Sequence, residues 1–257
     1  CVSGLLTEKD PLIKIRPFRA PHHTVSAQAL TGGGRRPKPG EISLATGGIL
    51  FLDEFPEFSR AALEILRQPL EERKVTVSRV EASVTYPANF QLVAAMNPCP
   101  CGHFPDRSRC RCTDGQIAKY LQKVSGPMLD RIDICVEASP ITYGDIRSSG
   151  NNESSREIRA RVEQARKIQG ERFAGENIRC NGEMSGRHIR KFCWLGREEE
   201  KFMEEIFKKL ALSARMHDRI LKVARTTADL AEEEKIRLAD LCEAVSYVKS
   251  RDKFWGN

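Results

Sequence analysis

The sequence predicts an α/β protein that continues into an all-helical C-terminal region. Three observations carry this: a continuous apolar run at Ile49-Leu50-Phe51-Leu52 with a second strand-like segment from Phe90 to Ala95, a helical segment between them, and helix-type periodicity from about residue 153 onward. At 257 residues the chain can bury one large core or two small ones. A composition of 40% hydrophobic and 30% charged residues is that of an ordinary globular protein. No run of about 18 apolar residues suits a membrane span, and the N-terminus lacks a signal-type layout, so a cytoplasmic protein with no membrane partner is expected. Lys+Arg exceed Asp+Glu by 42 to 35, a net charge of +7 with a pI near 9.0, which favours polyanionic partners such as nucleotides or nucleic acid.

Taken in order, Gly47-Gly48 opens the run Ile49 to Leu52, read as a strand buried on both faces of a parallel sheet. A helix over Ser59 to Leu66 follows, with Ser59 as N-cap. Val75 to Val77 and Val84 to Tyr86 read as the arms of a hairpin, and Phe90 to Ala95 as a second buried strand. The polar stretch Ser148-Ser149-Gly150-Asn151-Asn152 separates an expected first domain, 1–147, from a helical second, 148–257. There Ser154 and Glu157 form a capping box ahead of Ile158, Val162, Ala165 and Ile168. Met216, Ile220, Val223, Thr227 and Leu230 recur at helical spacing, as do Leu238, Leu241, Val245 and Val248.

Asp53-Glu54 directly follows the first apolar strand, which puts two carboxylates where open α/β sheets bind their ligands. The pattern suits a Walker B pair, with Asp53 holding Mg²⁺ and Glu54 polarising the attacking water. The plainer reading is the start of a loop. The companion G-x-x-x-x-G-K-[ST] is absent: Gly32-Gly33-Gly34-Arg35-Arg36 has no Lys-Ser/Thr ending and no strand running into it.

Cys99-x-Cys101 and Cys110-x-Cys112 offer four thiolates on one loop, enough for a tetrahedral structural Zn²⁺. Reduced free thiols and a redox disulfide are the alternatives, and His103 could replace one ligand. Arg107, Arg109 and Arg111 supply nearby positive charge. The remaining five of nine cysteines read as small apolar residues. His22-His23 invites a metal reading, but a loop role is preferred because adjacent side chains usually diverge. The turn Thr31 to Gly40 carries Arg35, Arg36 and Lys38, and the Val75–Tyr86 hairpin carries Arg79 near its tip; these are the candidate nucleic-acid contacts. No aromatic residue interleaves either tip, so any contact is with the phosphate backbone.

The blocks Arg16-Pro-Phe-Arg-Ala-Pro-His-His-Thr24, Gly40-Glu-Ile-Ser-Leu-Ala45, Gly48-Ile-Leu-Phe-Leu-Asp-Glu54, Ala95-Met-Asn-Pro-Cys-Pro-Cys-Gly102 and Gly126-Pro-Met-Leu-Asp-Arg-Ile-Asp133 occur in that order. Ser213-Ala-Arg215 and Arg219-Ile-Leu-Lys-Val-Ala-Arg225 complete the set. Together they resemble the magnesium-chelatase-like AAA+ ATPases, in the ComM (YifB) branch. The resemblance implies a P-loop-type parallel sheet, partial here, with a helical lid, and a fragment that lacks a preceding Lon-like domain and Walker A loop. It implies a sensor role for Asn97, an arginine finger at Arg131 and a second sensor at Arg215. It also implies that the Thr31–Gly40 insert projects toward a ring pore. The expected cofactors are ATP and Mg²⁺, and the expected partners are further copies of the chain in a homo-oligomeric ring, taken as a hexamer, and DNA. The function expected is an ATP-dependent motor on DNA of the branch-migration kind, inactive as the fragment alone. A motor subunit of a magnesium or cobalt chelatase is the alternative, and a non-hydrolysing assembly or DNA-binding module is a third.

Overall fold

The computed structural model describes residues 15–34, 37–78, 83–138, 143 and 153–255. It divides into two compact units, residues 1–132 and 133–257. The stretch 148–152 expected as the linker lies outside the described residues. Residues ahead of it already belong to the helical unit: Asp133 pairs with Arg219 at 3.0 Å and Glu137 with Lys253.

In chain order the first unit runs β1 (Phe18–Arg19), α1 (Ala27–Thr31), a small hairpin β2 (Gly32–Gly33) and β3 (Lys38–Pro39), α2 (Glu41–Leu44) and β4 (Ile49–Leu52). A 3-10 turn at Phe55–Glu57 leads to α3 (Arg60–Ile65), α4 (Arg67–Glu72), the hairpin β5 (Lys74–Ser78) and β6 (Ser83–Pro87), then β7 (Gln91–Ala94), α5 (Asp114–Leu121) and α6 (Gly126–Leu129). The main sheet is parallel with order β1-β4-β7; Phe18 lies opposite Ile49, and Leu50 opposite Leu92.

Along β4 the pleat sends Leu50 and Leu52 into the core at 0% exposure, and each contributes about 2 kcal/mol by leaving water. Ile49 and Phe51 are only half-buried, with Phe51 stacked on Phe18 at 6.0 Å between ring centroids. The expectation of two buried faces is therefore met on one. β7 departs further: Val93 is 37% exposed and only Leu92 is partly covered. An apolar run records that burial is wanted, not what supplies it. Among the described residues β7 is an edge strand.

Gly48 is required where β1 meets β4. A Cβ there would sit 1.8 Å from the Pro17 carbonyl oxygen, which instead accepts the Ile49 N–H at 2.8 Å. Gly32, at φ +101°, has the same role in the small hairpin, where a Cβ would lie 2.1 Å from the Lys38 oxygen. Ser59 caps α3, its hydroxyl accepting the Ala62 N–H.

The second unit comprises α7 (Ser155–Arg172), a 3-10 turn at Asn181–Glu183, α8 (Gly186–Phe192), α9 (Arg197–Lys209), α10 (Ala214–Leu230) and α11 (Leu238–Trp255). The Ser154/Glu157 capping box is present. Its core runs through Met203, Met216, Ile220, Leu241, Val245 and Val248. Two expected faces are displaced. Ile158 and Val162 on α7 are 42% and 45% exposed. On α10 Met216 and Ile220 are buried as expected, but the buried line then continues through Leu221, Ala224, Arg225, Ala228 and Asp229, while Leu230 is exposed. The shift on α10 accompanies a buried polar knot. Asp229 accepts from Arg172 Nη1 at 2.7 Å, Asn181 Nδ2 at 2.7 Å and Arg225 Nε at 3.1 Å. Arg225 also donates to the carbonyls of Glu233 and Glu234. Satisfying these groups turns the helix so that two charged residues face inward.

Candidate functional site

Parallel pairing brings the C-terminal ends of three adjacent strands to one edge. His22 and His23 follow β1, Asp53 and Glu54 follow β4, and Asn97 follows β7. This edge is where an open α/β sheet leaves a crevice for ligands.

The turn after β4 is strained and firmly held. Glu54 has φ 52° and ψ 44°, a left-handed conformation that costs a non-glycine residue about 1–2 kcal/mol. Three bonds hold it: Glu54 N–H to Asp53 Oδ1 at 2.8 Å, Glu57 N–H to the Glu54 carbonyl at 2.7 Å, and Phe55 N–H to the Ala95 carbonyl at 3.0 Å. The last bond ties this turn to the end of β7, two residues before Asn97. Asp53, Glu54 and Asn97 are all exposed at this edge. Strain of this kind at the mouth of a sheet is characteristic of functional positions.

The sequence alone offers Glu54 no side-chain partner, but the fold supplies one. His23 Nδ1 lies 2.8 Å from Glu54 Oε2. A carboxylate can only accept, so Nδ1 carries the proton of this bond. The His22 and His23 rings lie 4.1 Å apart, so these neighbours do not diverge as expected. His22 turns its Nδ1 to the Thr24 hydroxyl at 3.0 Å. Glu54 is 31 positions away in sequence and reaches His23 only because β1 pairs with β4. The signal available was the register of two short strands, which a single sequence does not display.

The four cysteines form the one cluster of metal-type ligands among the described residues, with all sulfurs within 4.8 Å of one another. Cys99 Sγ lies 3.4 Å from Cys101 Sγ and 3.8 Å from Cys110 Sγ, and Cys101 Sγ is 3.6 Å from Cys110 Sγ. A Zn–S distance of about 2.3 Å in a tetrahedron implies sulfurs about 3.8 Å apart, whereas a disulfide needs about 2.05 Å. The arrangement fits a tetrathiolate ion and not a disulfide. The thiols are split in acidity. The His103 N–H draws Cys101 down to about 6, and burial pushes Cys112 up to about 11 and raises Cys110. Burial opposes ionisation of Cys99, but the Phe104 N–H on its sulfur leaves it below the usual thiol value. A central cation would stabilise all four thiolates together. Arg107 braces the loop, donating to the Cys112 carbonyl at 3.0 Å and pairing with Asp114.

Arg131 packs against α4, paired with Glu71 and donating to the carbonyls of Arg67 at 3.1 Å and Pro127 at 2.6 Å. Arg215 is an exposed residue in the first turn of α10, after the N-cap Ser213. Lys38 is exposed in the small hairpin, whereas Arg35, Arg36 and Arg79 lie outside the described residues. The two hairpins that lead to them are joined: the Tyr86 hydroxyl donates to the Pro37 carbonyl at 2.7 Å. No helix among the described residues is long and apolar enough to cross a membrane.

A parallel sheet with paired carboxylates and a following asparagine at its C-terminal edge, together with a helical C-terminal unit, defines an AAA+-type α/β protein. The chain belongs to the magnesium chelatase subunit ChlI family: residues 1–146 match that family and residues 152–248 match its C-terminal part. It is 48% identical over 235 residues to the competence protein ComM of Haemophilus influenzae, covering 91% of this chain and 45% of that protein. It is 47% identical over 234 residues to the uncharacterized protein YifB of Escherichia coli, covering 90% of this chain and 45% of that one. A shorter stretch of 67 residues is 34% identical to the DNA replication licensing factor mcm4 of Schizosaccharomyces pombe, covering 26% of this chain and 7% of that protein. The chain spans about half the length of the ComM and YifB proteins it matches.

Proposed function

We propose that these residues are the hydrolytic and lid portion of an ATP-driven ring motor that acts on DNA. The observation that carries the reading is the convergence of Asp53, Glu54 and Asn97 on the C-terminal edge of three adjacent parallel strands. Asp53 would hold the Mg²⁺ of Mg-ATP, which screens the charge of the phosphates. Glu54 would take the proton of the attacking water once oriented by His23, and the Asn97 amide would fix that water's position. Arg131 would serve the neighbouring copy's nucleotide, its guanidinium held ready by Glu71. Arg215 would contact phosphate from the lid. Turnover needs a phosphate-binding loop joined to these residues, because the 257 residues contain no G-x-x-x-x-G-K-[ST]. The tetrathiolate loop would hold a structural Zn²⁺. Assembly into a hexameric ring belongs to this proposal, as does a cytoplasmic setting.

DNA is favoured by the relatives ComM and mcm4, whose names concern competence and DNA replication, and by the cations Arg35, Arg36 and Lys38 of the first of two adjacent hairpins. The chelatase reading is favoured by the family's own name. Replacing Arg35, Arg36, Lys38 and Arg79 together by Ala should weaken DNA binding by the full-length protein about tenfold or more. It should also flatten the dependence of log Kd on log salt by about 0.9 for each phosphate that is no longer neutralised. A salt titration with an unchanged slope would remove these hairpins from the DNA path.

A further inference from the structure

The thiolate cluster and the sensor asparagine are parts of one closed loop. Asn97 is separated from Cys99 by Pro98 alone, and Cys112 runs directly into Thr113, the N-cap of α5. Thr113 and Gln116 form a capping box that fixes the start of this helix. From α5, Tyr120 returns to the sensor. It is 6% exposed, and its phenol is pushed up to about 12 by burial and the Glu57 carboxylate, with the backbone N–H of Asn97 acting in the opposite sense. Gly102, at φ +79°, lies beside the Asn97 side chain, where a Cβ would stand in ordinary contact, 3.8 Å from its Cγ and Oδ1.

Between Asn97 and Thr113 the chain has little regular structure to hold it. It makes turns at Cys99–Gly102, His103–Asp106 and Asp106–Cys110, with no helix or strand over that span. Of its apolar groups Cys99 and Cys110 are the buried ones, at 0% and 8% exposure. The sulfurs themselves are the centre of this small substructure. Four thiols packed at such distances without a cation satisfy one another poorly, because each is a weak donor and a weak acceptor.

We infer that metal binding by Cys99, Cys101, Cys110 and Cys112 is the clasp that positions Asn97 for the hydrolytic water, so that loss of the ion slows turnover without loosening nucleotide. The inference rests on the tetrathiolate-zinc reading above. On binding, each thiol releases its proton to solvent and its sulfur becomes a ligand, joining the segment after β7 to the start of α5. Asn97, two residues from the first ligand, is then fixed from both sides: by β7 behind it and by the clasp ahead. The cysteines do not touch the reacting atoms; they act through Asn97. Residues that orient the ligands of a metal are commonly worth about 10-fold to 100-fold in affinity or activity, and the clasp is expected to act on Asn97 at that scale.

The test uses the full-length protein purified without chelator, with zinc chloride as the probe. Zinc is stripped by a chelator, the chelator is removed, and Mg-ATP is added afterwards. The expected results are about one zinc per chain and, after stripping, faster amide exchange over residues 96–103 with the strand Ile49–Leu52 still protected. kcat should drop about tenfold or more while KM for ATP stays within about twofold, and added zinc should restore both exchange and kcat. Cys110→Ser with Cys112→Ser should reproduce the stripped state. In Asn97→Ala, stripping should change kcat less than about twofold, because the residue through which the clasp acts is gone. Zinc that is bound but removable without effect on exchange or kcat would overturn the clasp and leave the metal site standing. A tenfold fall that persists in Asn97→Ala would overturn the route through Asn97. Protein that binds no zinc would overturn both readings at once.

Discussion

Glu54→Gln in the full-length protein loses at least about 100-fold in ATPase kcat while nucleotide affinity stays within about threefold. A positioned general base contributes about 10²–10⁴ in rate, and Gln keeps the shape of Glu but cannot take a proton. The substitution also leaves the local fold intact. The bonds that define the turn use the main chain of Glu54 and the Asp53 carboxylate, not the Glu54 side chain. The His23 contact survives in kind, since a glutamine oxygen can still accept from Nδ1. The loss therefore falls on the chemical step, visible as reduced kcat with unchanged KM. Single-turnover ATP hydrolysis beside equilibrium nucleotide binding measures both; a variant that retains a tenth of wild-type turnover would remove Glu54 from the role of base.

The largest effect on stability is expected at Asp229, far in sequence from the carboxylates after β4. Asp229→Ala should destabilise the helical unit by about 3–5 kcal/mol, the usual cost of leaving buried charge without its partner. Asp229 is fully buried at 0% exposure and Arg225 at 2%, and burial already lowers the Arg225 guanidinium pKa. Removing the carboxylate leaves two guanidinium groups and the Asn181 amide facing a cavity. Arg225→Met should cost less, because Asp229 keeps Arg172 and Asn181, and the loss is confined to one donor at the Glu233 and Glu234 carbonyls. Both tryptophans, Trp194 and Trp255, lie in residues 133–257, so denaturation followed by tryptophan fluorescence reports this unit. Equal midpoints for Asp229→Ala and the wild type would show that the knot does not hold the helices together.

The same two sites show what a single sequence reveals. Ile49 to Leu52 was legible as a parallel strand because a continuous apolar run has few other uses, and the carboxylates after it inherited their place from that strand. The cysteine spacing was legible because sulfur ligands are rare and close repeats of them rarer. Burial was less so: Phe90 to Ala95 is apolar apart from Gln91, yet among the described residues β7 is an edge strand, since cover depends on chain elsewhere. Arg225 and Asp229, four apart on α10, carry no mark of burial in the sequence, and nothing local reveals that Arg172 and Asn181 close around them from other elements. The His23–Glu54 bond depends on strand register, and the left-handed turn at Glu54 on three hydrogen bonds. Neither is encoded in residue type, because glutamate has no preference for that conformation.

The decisive measurement is steady-state ATPase activity of the full-length protein, alone, with branched DNA, and with a porphyrin plus Mg²⁺. A DNA motor with Glu54 as its base should show turnover that rises with branched DNA, does not respond to porphyrin, and vanishes in Glu54→Gln. Stimulation by porphyrin alone would contradict this and assign the chain to tetrapyrrole metal insertion.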